Sequence, residues 1–278
     1  MQKLIAIVGP TASGKTAYAI TLAKQIGGEI INADSRQIYA GFPATTAKPS
    51  DDELQSAPHH LIGVAPINAP ISVTQYQEMA TAAITEIANR GNVPILAGGT
   101  GHWIDAVVYG QTFPNVPPDF AFRTTCLSQP TDSLYAQLLE KDPRRARALD
   151  PHNKKRIIRA LEIIHTLGHV PQISPQKVEY DLEIIGIAWP LPILRERIEV
   201  RTDLLLDEML REATDGLETL SNERAQELGF DFTIPRAYLR NTFSKDEFLM
   251  RLKAARWQYA KRQLRWFNRN SAIRWVSH

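Results

Sequence analysis

A chain of 278 residues and 31.2 kDa, 44% hydrophobic and 22% charged, is long enough to bury a sizeable core, and its composition excludes collagen-like, low-complexity and wholly disordered proteins. The single cysteine, Cys126, excludes an internal disulfide and a thiolate metal cage. No apolar run approaches the roughly 18 residues that span a bilayer, and Met1-Gln2-Lys3 leads straight into a strand-like run, so a cytoplasmic protein with no membrane partner is expected. The net charge of +2 hides an asymmetry. Arg236 to His278 holds eleven Lys and Arg against two acids, leaving 21 basic and 28 acidic residues before it. A basic segment so localised points to a polyanion.

In chain order, Leu4-Ile5-Ala6-Ile7-Val8 is a continuous apolar run ending in Gly9-Pro10, the pattern of a parallel strand covered on both faces. A helix is predicted from Gly14-Lys15-Thr16 to Ile26, stopped by Gly27-Gly28. Glu29 to Asn32 reads as a strand, and Tyr76 to Arg90 as a helix with an inner stripe of Met79, Ala83, Ile84 and Ile87. Val93 to Ala97 is a further strand, ending in Gly98-Gly99-Thr100-Gly101. The proline-rich stretch from Thr112 to Pro118 marks a boundary into a helical segment. There Asp150-Pro151 reads as an N-cap with proline in the first turn, ahead of Ile157, Leu161, Ile164 and a closing Gly168. Leu182 to Ala188 returns a strand, and the rest is predicted helical. The expected fold is α/β, a P-loop-containing doubly wound parallel sheet over 1–112 and 176–278 with C-terminal basic helices, and a small, mainly helical inserted domain over 113–175.

Gly9-Pro10-Thr11-Ala12-Ser13-Gly14-Lys15-Thr16 matches G-x-x-x-x-G-K-[ST] in the right context, after a strand and before a helix. Glycines let backbone amides turn inward, the helix N-terminus adds its dipole, Lys15 supplies a point charge, and Thr16 offers a hydroxyl to Mg²⁺. Such a loop binds a polyphosphate without specifying which. Asp34 follows the second strand and lies at the ligand edge of the sheet, where a carboxylate could take a proton, hold a metal-bound water or cap a helix. His59 and His60 are adjacent and lack a suitably spaced third ligand, which favours packing over a metal site.

Several motifs occur in order: the loop 9–16, Asp34-Ser35-x-Gln37-Ile38-Tyr39, Thr46-Ala47-Lys48-Pro49, Pro58-His59-His60-Leu61 and Gly98-Gly99-Thr100-Gly101. Asp150-Pro151-x-Asn153 leading to Arg156 and Arg159-Ala160-Leu161-Glu162, then Arg197-Ile198-x-x-Arg201 and Tyr259-Ala260-Lys261-Arg262-Gln263 follow. Together they resemble the tRNA dimethylallyltransferase family over nearly the whole chain. The resemblance implies that the loop holds the diphosphate of dimethylallyl diphosphate, with Mg²⁺ and no ATP, and that the dimethylallyl group goes to the adenosine 3′ of the tRNA anticodon. Asp34 is then the general base, while Thr100 and Arg201 attend the leaving diphosphate. It also implies tRNA contacts at Asp34, Ser35, Arg36, Gln37 and Thr100, at Arg123, Lys155, Arg156 and Arg159, and at Arg262 and Arg265. A monomer is expected.

The basic helix from about Lys245 to Phe267 is predicted to carry Phe248, Leu252, Ala255, Tyr259 and Trp266 on one stripe and Arg251, Arg262, Arg265 and Arg269 on another, with Trp257 or Trp275 as candidate base-stacking groups. The chain departs from the family pattern at Pro43-Ala44-Thr45 in place of Asp-x-Gly, at Gly63 in place of Asp, and at Leu228-Gly229-Phe230-Asp231, where an acid replaces a base. Prenylation of a free adenine nucleotide fits the basic helix less well. A P-loop kinase would require ATP turnover and a lid arginine set, and a non-catalytic sensor would need no base at Asp34.

Overall fold

The computed structural model describes residues 1–172 and 180–277. Contacts divide the chain into two compact units, Met1–Gly110 with Lys177–His278, and Gln111–Gln176. The expected junction at 175–176 lies outside the described residues.

The first unit is built on one sheet of six strands, β1 (Gln2–Val8), β2 (Gly28–Asn32), β3 (His59–His60), β4 (Val93–Gly98), β5 (Tyr180–Ala188) and β6 (Ile273–Ser277), ordered β3-β2-β4-β1-β5-β6. Every pairing is parallel, so the connections are crossovers, and their helices cover both faces. The period-two alternation of β1 is visible in what its side chains meet. Ile5 and Ile7 pack with Ala19, Ile20 and Ala23 of α1 (Lys15–Ile26), whereas Leu4, Ala6 and Val8 pack with Tyr76, Ile84 and Ile87 of α4 (Val73–Asn89) and Ile104 of α5 (Gly101–Val108). The short helices α2 (Pro43–Thr46) and α3 (Asp51–Ser56) lie in the chain between β2 and β3.

The second unit holds α6 (Phe120–Leu127), α7 (Thr131–Lys141), α8 (Pro143–Arg147) and α9 (Lys154–Leu167) around Leu134, Leu138, Ile157 and Leu161. The N-cap of α9 is Asn153, which accepts from the Arg156 amide at 3.2 Å. Asp150, expected to cap, instead accepts from the His152 amide in the preceding turn. Back in the first unit, α10 (Leu191–Gly216), α11 (Asn222–Leu228), α12 (Phe230–Leu239) and α13 (Lys245–Phe267) follow β5.

Two strands escape the sequence reading. β3 has only two residues, too few for a periodic signal. β6 lies in a segment expected to be helical, yet Ile273 and Trp275 pair beside Ile184 and Gly186 at the sheet edge.

Candidate active site

The loop after β1 has a backbone that only part of the amino-acid alphabet can follow. Gly9 has φ 150°, and a Cβ there would stand 2.4 Å from the Ile187 carbonyl oxygen; Gly14 has φ 95°. The loop's carbonyls are held from outside. Arg197 Nε donates to the Ala12 carbonyl and Trp189 Nε1 to that of Ser13, both at 2.9 Å, with the Arg197 guanidinium 4.7 Å from the Trp189 ring. Lys15 Nζ donates to the Pro10 carbonyl at 2.9 Å. Burial brings Lys15 down from 10.5 to about 8, with Asp34 acting to raise it and Arg201 to lower it further. The Ser13 hydroxyl is buried with no hydrogen-bond partner among the described residues.

The turn after β2 is equally constrained. The Asp34 amide donates to Asn32 Oδ1 at 3.1 Å, Asp34 Oδ1 accepts from the Arg36 amide at 2.9 Å, and Asn32 is itself anchored by Tyr76 Oη on its carbonyl. Asp34 therefore sits in an Asx turn and not at a helix N-terminus. The Ser35 amide donates to Thr100 Oγ1 at 2.9 Å, and Thr100 Oγ1 donates to Ser35 Oγ at 3.2 Å. This joins the turn after β2 to the turn after β4.

Asp34 and Arg201 border one cavity of about 50 Å³ whose walls include Thr11, Ala12, Arg36, Thr46, Ile198 and Phe230. Arg201 Nη2 and Gln37 Nε2 share the Ala47 carbonyl, at 3.1 and 2.8 Å. Burial lowers the Arg201 pKa, and Arg256 adds to the effect. A buried ion pair closes the far wall: Arg256 Nε donates to Asp231 Oδ1 at 3.0 Å, and Arg256 Nη1 donates to Thr202 Oγ1 at 3.1 Å. Burial pushes the Asp231 carboxyl up, against the pull of Arg256.

The donor set of the loop suits a hard cation. Thr16 offers an oxygen, no group of three His, Cys, Asp or Glu occurs among the described residues, and a divalent ion such as Mg²⁺ accepts few protein ligands when phosphate oxygens and water complete its shell.

The IPP transferase family matches residues 37–270. The tRNA dimethylallyltransferase of Roseiflexus sp. (strain RS-1) is 40% identical over 97% of this chain and 91% of its own length. That of Geobacillus thermodenitrificans (strain NG80-2) is 36% identical over 99% and 90%. The chain belongs to the IPP transferase family. The crystal structure of the full-length tRNA isopentenylpyrophosphate transferase from Bacillus halodurans superposes with a TM-score of 0.74 at 35% identity, covering 100% of this chain and 90% of the other.

Set beside the IPP transferase pattern, the departures have local structural reasons. Pro43 opens α2 at a first-turn position, and the Ala44 and Thr45 amides are both held by the Glu212 carboxylate, at 2.7 and 2.8 Å. Gly63 adopts φ 65° while its amide donates to the Gln37 carbonyl at 2.9 Å. Asp231 is consumed in the pair with Arg256.

The basic residues expected on tRNA fall into two groups. Arg123 donates twice to Glu162, at 2.8 and 2.9 Å, and Arg159 donates to the same buried carboxylate and to the Val116 carbonyl. Lys155 and Arg156 are exposed and have no acidic partner among the described residues, as are Arg262 and Arg265 on α13; Arg262 lies over the Tyr259 ring. Trp275 packs over Gly186 in the sheet, and Trp257 lies beneath Lys261. His60 pairs with Glu29 at 2.6 Å, and His59 Nδ1 meets the Ala57 carbonyl. Sequence reading assigned no role to Arg197, Gln263 or Arg256. The signal available for them was position: Arg197 lies one helical turn before Arg201, and Arg256 and Gln263 flank Tyr259 at helical spacing.

Proposed function

We propose that this chain transfers a dimethylallyl group from dimethylallyl diphosphate to the exocyclic amine of the adenosine 3′ of the anticodon in tRNA, releasing diphosphate. The observation that carries this reading is the meeting, at the carboxyl ends of β1 and β2 and on α10, of a phosphate loop with Asp34 and Arg201 around one cavity. The adenine amine is a poor nucleophile because its lone pair is delocalised into the ring. As the nitrogen bonds to the allylic carbon, the bond from that carbon to the diphosphate oxygen breaks and one amine proton passes to the Asp34 carboxylate. The loop amides, Lys15 and Arg201 meet the charge that develops on the leaving diphosphate, with Thr100 donating its hydroxyl. Thr16 would hold a divalent ion, Mg²⁺ in this reading, which when bound would supply further neutralisation of charge on the same group. Arg36, Ser35 and Gln37 border the entry of the base. Lys155, Arg156, Arg262 and Arg265 are exposed cations with no acidic partner among the described residues and are suited to RNA phosphates, whereas Arg123 and Arg159 reach tRNA only with faces not spent on Glu162.

The enzyme acts as a cytoplasmic monomer in this reading; no helix among the described residues is long and apolar enough to cross a membrane. The test is to incubate the chain with unmodified tRNA, dimethylallyl diphosphate and Mg²⁺ in the absence of ATP and to follow diphosphate release. Release that depends on tRNA supports the reading, and release that depends on ATP, or none at all, refutes it.

A further inference from the structure

The transfer proposed above requires that the diphosphate cradle and the base-receiving turn stand at one separation, yet they leave the sheet on different strands. The ladder between β1 and β4 ends at Val8 and Gly98. Beyond it, the Thr100 amide donates to the Ala33 carbonyl and so ties the β4 turn to the Asp34 turn. No backbone hydrogen bond among the described residues joins 10–14 to 99–101. One side chain does. Gln263 Oε1 accepts from the Thr11 amide at 2.8 Å, and Gln263 Nε2 donates to the Gly99 carbonyl at 2.9 Å.

Gln263 is 5% exposed, and each end of its carboxamide has one partner of the opposite kind, which fixes its orientation. Glutamate at this position lacks the donor, and asparagine is one methylene short of spanning both turns. The neighbouring glycine records the same constraint. A Cβ on Gly99 would stand 2.3 Å from Gln263 Nε2, so this position accepts no side chain while the bridge is in place. The helix that presents Gln263 is packed in place: Leu252, Ala260 and Phe267 of α13 are buried, and Arg256 on the same face is bonded to Asp231 and Thr202.

We propose that Gln263 is a positioning residue for the transfer, setting the distance between the diphosphate loop and the turn that carries Thr100 and is bonded to the Asp34 turn. It is assigned no contact with either substrate. Its loss should therefore show in turnover with both substrates bound more than in the binding of either, since misplacement by about 1 Å costs up to ~10²-fold in rate. This inference rests on the proposed function.

The experiment compares wild type, Gln263→Met, Gln263→Asn, Gly99→Ala and the double variant Gly99→Ala with Gln263→Asn. It measures kcat, the KM for each substrate, diphosphate affinity by calorimetry and the thermal midpoint. Gln263→Met, near in size but unable to make either bond, should lower kcat by about tenfold or more while changing each KM by less than about threefold. Gly99→Ala should cost as much alone as Gln263→Asn, and the double variant no more than the worse single, because the shorter amide leaves room for the added methyl. Should Gln263→Met not fold, Gln263→Asn carries the same comparison. A wild-type chain that transfers nothing refutes the proposed function itself. A wild-type chain that transfers, with Gln263 variants that match its kcat, that lose activity only through one KM, or whose losses add fully to that of Gly99→Ala, overturns the positioning role.

Discussion

Lys15 is the residue whose charge depends most on what occupies the loop. Burial holds it near 8, and its ammonium is turned onto the Pro10 carbonyl. In the protein without ligand, the folded pKa lies below the unfolded 10.5, so the buried ammonium costs stability below pH 8 and the cost is relieved as pH rises toward 10.5. Under the proposed function, diphosphate binding would reverse the balance by stabilising the charged form. Below about pH 8 the lysine is already protonated and contributes no pH dependence; above it, binding takes up a proton and affinity falls, by up to about tenfold per pH unit from this group. Calorimetry of diphosphate binding on wild type and Lys15→Met should show the wild type losing its advantage as pH rises from 7 to about 10, and a constant advantage would contradict the assignment. Asp34→Asn keeps the shape of the Asx turn and removes the proton acceptor. It should retain both substrates and lose roughly 10²-fold or more in single-turnover rate; a normal rate would reduce Asp34 to a turn-former.

At the scale of elements, α13 joins the site and the surface. Its inner stripe is Phe248, Leu252, Arg256, Ala260, Gln263 and Phe267, not the apolar series through Ala255, Tyr259 and Trp266. The limits of the helix were legible, because Ser244 caps it and the following turn ends it. Its buried face was not, because hydropathy weighs Arg256 and Gln263 as solvent-facing, and only their partners at Asp231, Thr11 and Gly99 make burial possible. The phosphate loop could be read directly since all its determinants lie within eight residues, whereas its outer clamps are 185 and 252 positions away at Arg197 and Gln263. The exposed face of α13 leads to a prediction on salt. Replacing Arg262 and Arg265, together with Arg269 in the turn just past the helix, by alanine should reduce the slope of log tRNA affinity against log salt by about two to three, given roughly 0.7 to 0.9 per phosphate contact, and leave diphosphate affinity unmoved. Filter binding over a salt series decides it, and an unchanged slope would put the tRNA surface elsewhere.

The strand next to the edge of the sheet carries a second element-scale expectation. Glu29 in β2 is nearly buried beneath Arg90, Asn92 and His60, and hydrogen bonds led by that from Arg90 hold its carboxyl at about 2 against an ordinary 4.5. A lowered carboxylate contributes stability that is complete above 4.5 and is lost as pH falls through 2. Glu29→Gln should therefore lower the thermal midpoint at neutral pH by several degrees and flatten its fall between about pH 5 and 2, as read by calorimetric melting.

For the molecule as a whole, parallel strands place the turns of the site on one edge of the sheet, and helices bring Arg201 and the remaining walls to them. The loop follows β1, Asp34 follows β2, Thr100 follows β4 and Trp189 follows β5, with β1 between β4 and β5 at the centre. Strand and turn motifs make that edge legible in the sequence, whereas the walls supplied by α10, α12 and α13 arise only through tertiary contacts. The measurement that bears hardest on this arrangement is nucleoside mass analysis of one tRNA after incubation with dimethylallyl diphosphate and Mg²⁺. Wild type should place a single dimethylallyl group on the adenosine 3′ of the anticodon, and Asp34→Asn should leave that adenosine bare over the same interval. A prenyl group elsewhere, a prenylated free nucleotide with untouched tRNA, or equal product from Asp34→Asn would contradict it.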